Sequence, residues 1–191
     1  DDASARAEAA RRVGATTLDG AGLVSGVFAS ALRRWFGVLF WFLLLGASGA
    51  LLYRWAQLAA EGEEGHGLPA ANREGARALY AVLNWPVAQA MTLTLALVGN
   101  FDLVIGAWRD NGGPTLRLRE HDFLDAAARA SVRSEVAEEA DELIEEGATP
   151  GNAWLQLGEL PELRDAMSLV WRILLLWLVV LALFVVAGWV S

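Results

Sequence analysis

Residues 35–53 read WFGVLFWFLLLGASGALLY, nineteen positions without one charged side chain. Nineteen helical residues at a rise of about 1.5 Å cover roughly 28 Å, close to the hydrocarbon thickness of a bilayer. Arg33, Arg34 and Arg54 bracket the stretch, and Trp35, Tyr53 and Trp55 stand at its ends, where an interfacial aromatic belt belongs. Residues 78–101 and 173–191 repeat the pattern, again with no charge. The 191-residue chain is 55% hydrophobic, carries nine Trp, and places all 15 Arg and 23 acidic residues outside these three windows. That distribution excludes a disordered chain, a coiled coil and a nucleic-acid binder, and zero Cys excludes a disulfide scaffold. The reading is an integral membrane protein.

The net charge of −8 sits in one place. Residues 111–165 contain all of the excess acid, and the rest of the chain is balanced. The expected fold is therefore all-α: a polytopic membrane helix bundle with a cytoplasmic amphipathic helical module. The divisions are N-terminal cytoplasmic helices over 1–34, with an upstream part expected before Asp1, and a transmembrane helix over 35–56. An external polar loop covers 57–77 and a second transmembrane helix 78–101. The acidic cytoplasmic module spans 102–165 and the last transmembrane helix 166–191. Arg counts in the flanks place 1–34 and 102–165 in the cytoplasm, and the short loop and C-terminus outside.

Shorter signals fill in the connections. Residues 1–13 read as a short helix stopped at Gly14, residues 16–20 as a turn, and residues 22–32 as a surface-lying or packing helix. Asn111-Gly112-Gly113-Pro114 is a break, and Asp122 opens a helix whose Leu124, Ala128, Val132, Val136, Ala140, Leu143 and Ile144 recur at helical spacing. The late acids Glu138, Glu139, Glu142, Glu145 and Glu146 run against the helix dipole and read as facing water. Trp154 and Leu157 read as exposed apolar residues in a loop, Pro161 as a helix start, and Arg172 as snorkelling at the head of the last span.

The residues most open to a functional role lie in the second span. Asn84, Trp85, Gln89, Thr92 and Thr94 include polar groups that hydrocarbon cannot satisfy, so they face protein. Pro86 removes a backbone donor and kinks the helix, and Asn84 either takes up the freed carbonyl or bonds to a neighbour. Gly46 and Gly49, in the small-residue run 46–50, form a close helix-contact face, with a local bend at Gly as the alternative. Asn84, Trp85, Gln89, Thr92, Gly46 and Gly49 are thus the ligand or helix-contact candidates. Asp102, Trp108, Arg109 and Asp110 form a polar cluster at the interface. Glu61, Glu63, Glu64 and His66 carry metal-binding atoms without a scaffold and read as a solvated loop. No phosphate loop, nucleophile elbow or zinc spacing is present, and the spans hold no charge of the kind that marks pumps. No catalytic residue, metal or cofactor is expected.

The strings Arg34-Trp35-Phe36-Gly37-Val38-Leu39-Phe40-Trp41-Phe42 and 45–54, followed by Leu83-Asn84-Trp85-Pro86, residues 96–101 and Trp108-Arg109, resemble AmpE-type inner-membrane proteins over residues 33–110. This family belongs to a wider group with the CobD/CbiB enzymes, which join an aminopropanol phosphate to a corrin carboxylate. The resemblance implies further transmembrane sequence upstream. It also implies a non-enzymatic regulatory or sensory role linked to β-lactamase induction and cell-wall recycling in a bacterial inner membrane. The acidic motif residues of the enzyme branch are absent from the matching positions. The competing readings are a CbiB-like transferase acting on a phosphorylated or lipid-linked substrate, with Asp102, Arg109 and Asp110 as its polar groups, and a structural membrane subunit. Expected partners are the lipid bilayer and a cytoplasmic protein at the acidic module, with homo-oligomerisation left open and nucleic acid excluded.

Overall fold

The computed structural model describes Ala7 and residues 19–61, 70–115, 122–152, 157 and 160–188. The expected helix over 1–13 apart from Ala7, residues 62–69 of the expected 57–77 loop with its Glu63, Glu64 and His66, and Trp154 lie outside the described residues. The described residues are helical and contain no strand. The helices are α1 (Gly20–Ala31), α2 (Gly37–Glu61), α3 (Ala70–Val98), α4 (Phe101–Asp110), α5 (Asp122–Glu145) and α6 (Pro161–Val186). A π-helical turn, Leu32–Phe36, joins α1 to α2. Three stretches are long and apolar enough to cross a membrane by length and composition: Gly20–Glu61, Asn72–Val98 and Pro161–Val186.

The first of these is not a straight rod. Gly46 has φ +64° and ψ −152°, a region that only glycine occupies without strain, and the helix reverses there. Gly37 and Tyr53 would stand about 24 Å apart along one straight helix. Instead a side-chain carbon on Gly37 would fall inside the Tyr53 phenol ring. Gly49 lies against the Trp41 carbonyl and the Leu45 side chain in the same way. Residues 37–45 and 47–61 are thus the two legs of a helical hairpin, zipped through glycine on alternate legs. Its open end is marked by Arg33 and Glu61, 3.7 Å apart. The sequence expectation put residue 34 and residue 57 on opposite sides of a single crossing. The hairpin brings its two flanks back to the same side of the molecule, because one glycine reverses the chain halfway.

α3 is the central helix. It packs on α2, α4, α5 and α6, and it buries Val87, Ala88, Met91, Thr92, Leu95 and Ala96. α3 begins at Ala70, well before the expected 78, so Arg73 and Arg77 belong to a helix face rather than to a loop. α1 is capped by Asp19, whose carboxylate accepts from Gly22 N at 3.2 Å, and α4 by Asn100, which accepts from Leu103 N at 3.3 Å. Pro161 starts α6 in the first helical turn, where its missing N–H costs nothing.

α5 packs directly on the apolar helices. Leu124, Ala128, Val132, Val136 and Ala140 form an i, i+4 stripe, buried in one core with residues of α1, α3, α4 and α6. The small alanines let it approach closely. Leu157, expected exposed, is buried in the same core, whereas Ile144 at the helix end is exposed. The acid of α5 also has partners. Glu139 pairs with Arg164, and Glu135 accepts from Arg172 at 3.1 Å, so Arg172 is held by a carboxylate. Two of the α5 acids, Glu135 and Glu139, therefore face arginines of α6 rather than water alone.

A charged cleft at the open end of the hairpin

The stripe Arg73, Arg77, Tyr80 and Asn84 runs along α3 at spacings of four, three and four, which places all four on one face. That face borders a cleft of roughly 690 Å³. The π turn and hairpin contribute Arg33 and Glu61, α3 adds Glu74, and the first turn of α5 supplies Asp122 and Asp125. The lining thus mixes three guanidiniums, those of Arg33, Arg73 and Arg77, with four carboxylates, those of Glu61, Glu74, Asp122 and Asp125. The acids of α5 sit at a helix N-terminus, where the dipole favours negative charge. Burial pushes the Asp125 carboxyl up to about 6, with Arg129 pulling it down and Asp122 adding to the rise.

The floor of the cleft is tied to the hairpin. Tyr53 Oη donates to Asn84 Oδ1 at 2.9 Å in a buried bond, and the Tyr53 and Tyr80 rings lie 5.7 Å apart. Next to it, Trp41 Nε1 donates to the Leu83 carbonyl at 3.0 Å. The carbonyl that Pro86 itself deprives of a donor is that of Val82, one residue earlier. Asn84 thus bonds across to a neighbouring element, one of the two roles expected of it, and α3 runs on through Pro86 as one helix.

The other polar residues of α3 do not share this face. Gln89 accepts from Trp108 Nε1 and donates to the Gly113 carbonyl, each at 2.7 Å, which fastens α3 to the end of α4. Thr92 is fully buried and returns its hydroxyl to the Ala88 carbonyl at 2.9 Å. Thr94 does the same to Ala90 and accepts from Trp177 Nε1 of α6 at 3.0 Å. Trp85 is half-buried, and its indole nitrogen has no acceptor among the described residues. Asn84, Gln89 and Thr94 each tie α3 to a different neighbour, whereas Thr92 bonds only within its own helix, so the polar residues do not make one shared face. Gly46 and Gly49 serve the hairpin and lie outside the cleft lining.

Trp108 is the only member of the expected interface cluster that joins another candidate, through Gln89. Asp102 is in the first turn of α4, and Arg109 is in its last turn beside Asp110. Asp102 and Asp110 are separated by roughly 12 Å of helix. All three charged residues are exposed. Asp102 and Arg109 suit the α4 dipole, acid first and base last, whereas Asp110 at the C-terminal end runs against it. Arg33, Arg73, Arg77, Tyr80, Asp122 and Asp125 were not candidates in the sequence reading. The 4-3-4 spacing on α3 was the available signal, hidden by starting the helix at residue 78.

Among the described residues no group of three or more His, Asp or Glu side chains is placed to hold a metal ion. The cleft can bind charge of both signs but offers no preformed cation cage. Comparison with known proteins supplies no further constraint: no protein family, no curated protein and no solved structure matches the chain.

Proposed function

We propose that the chain is a non-enzymatic regulatory or sensory protein of a bacterial inner membrane, AmpE-like in the sense of the resemblance over residues 33–110, with the charged cleft as its input site. The observation that carries this reading is a ligand-sized cleft lined by both arginines and carboxylates. Such a lining suits a small solute bearing both charge signs, and cell-wall peptide fragments are solutes of that kind. The hairpin is the element such a ligand would bias, since Arg33 and Glu61 stand at its open end and Tyr53 ties it to the cleft floor. In this reading Glu138, Glu142 and Glu145, exposed on α5, and Glu146 just after it form the surface offered to a cytoplasmic partner.

The test is calorimetric titration of the detergent-solubilised protein with the tripeptide L-Ala–D-Glu–diaminopimelate. Arg77→Gln and Asp125→Asn should each weaken binding about tenfold or more, the usual effect of removing one charge-assisted hydrogen bond. No binding by the wild type, or equal affinity in wild type and both variants, would overturn the assignment of the cleft. A transferase reading is favoured by one observation, the Asp125 carboxyl held up to about 6, where an acid–base group is useful. Turnover of a phosphorylated amino alcohol that Asp125→Asn abolishes would replace the sensory reading with that one.

A further inference from the structure

Two adjacent arginines of the π turn line different clefts. Gly37 N–H bonds to the Leu32 carbonyl five residues back, and neighbouring side chains on the turn leave it in different directions. Arg33 goes to Glu61 and the charged cleft. Arg34 goes to the opposite side, into a groove of roughly 220 Å³ between α1 and α6. Arg34 is exposed and has no carboxylate partner among the described residues, and no acidic residue lines its groove. By contrast, Arg164 and Arg172 on α6 are both paired.

We infer that this seam is a binding site for an anionic phospholipid. Ser30 and Arg34, one helical turn apart, present a hydroxyl and a guanidinium to the phosphate and its headgroup. Trp35 and Trp171, each more than half exposed, flank the opening as indoles do at the headgroup level. Met167 and Leu174 line the apolar part. From there the exposed Leu175, Leu178 and Val179 continue along α6, giving an acyl chain a path away from Arg34. The unpaired cation selects against headgroups that carry their own positive charge, and basic pockets between membrane helices take anionic headgroups for this reason. The proposal is independent of the charged cleft, because it uses the opposite face of the π turn.

Native mass spectrometry of the delipidated full chain, titrated with phosphatidylglycerol or with phosphatidylcholine of the same acyl chains, tests it. The wild type should retain phosphatidylglycerol at least about fivefold more tightly. Arg34→Gln should remove that preference, while Arg172→Gln, which changes an arginine already paired with Glu135, should keep it. Leu174→Glu, which places a carboxylate in the groove, should lower phosphatidylglycerol retention below that of phosphatidylcholine. Helical circular dichroism confirms that each variant is folded. Equal retention of the two lipids by the wild type, an undiminished preference in Arg34→Gln, or its loss in Arg172→Gln would each overturn the site.

Discussion

Gly37 and Tyr53 meet across the hairpin legs, and their contact leaves no room for a methyl group. Gly37→Ala should therefore destabilise the fold by about 1–3 kcal/mol, the usual cost of overpacking a well-filled contact. Gly75 provides the opposite case. It is exposed on α3 with open space where a Cβ would go, so Gly75→Ala should raise stability by about 0.5–1 kcal/mol through helix propensity. Thermal unfolding of both variants in one detergent measures the pair, and an unchanged midpoint for Gly37→Ala would refute the packed contact. At this scale the sequence was a good guide to which polar residues of α3 needed protein partners, since Asn84, Gln89 and Thr94 all bond to neighbouring elements. It was a poor guide to which neighbour each would find. Hydropathy registers the cost of an unsatisfied amide but holds nothing about the direction of the partner.

The elements were legible as helices, and their apolar stretches as membrane-compatible, because composition alone decides both. The reversal at Gly46 was not. A turn in water announces itself with Asn, Asp, Ser or Pro, whereas this one lies between Leu45 and Ala47, and its only signal is glycine. The small run 46–50 predicts a packing face or a bend, and it serves both purposes: Gly46 bends and Gly49 packs. The hairpin has a topological consequence. If its tip, with Leu44, Leu45, Leu51 and Leu52 exposed, enters lipid, then α1 and the end of α2 face the same aqueous compartment. The absence of native cysteine allows single-cysteine labelling without background. Ser25→Cys and Glu61→Cys should react with a membrane-impermeant maleimide from one and the same side of sealed vesicles. Labelling from opposite sides would mean that residues 35–53 cross as a straight helix.

Over the whole molecule, the acidic segment and the apolar helices make one core, and that exposes an acid of α5 to the energetics of burial. Asp125 shows the consequence most directly. Its neighbours are Asp122 and Arg129 on its own helix, and Arg33, Glu61, Arg73, Glu74 and Arg77 across the cleft. Burial outweighs the pull of Arg129 and holds the carboxyl at about 6, against an ordinary value of 3.8. Below about pH 4 the group is protonated in both folded and unfolded chains and contributes nothing to their difference. As pH rises towards 6 the unfolded chain gives up its proton first, so the fold loses stability across that interval. Above about pH 6 the carboxylate is charged in both states and the penalty is complete. Asp125→Asn removes the titration while keeping the shape. The variant should therefore melt at nearly the wild-type temperature at pH 4 and above it at pH 7. The gap should open between those values, by about 2–4 °C for each kcal/mol recovered in a chain of this size. Glu135, raised by burial and opposed by Arg172, is present in both proteins and cancels from the comparison. A gap that stayed constant with pH, or one that opened on acidification, would show that Asp125 is not buried against the cleft as the structure places it.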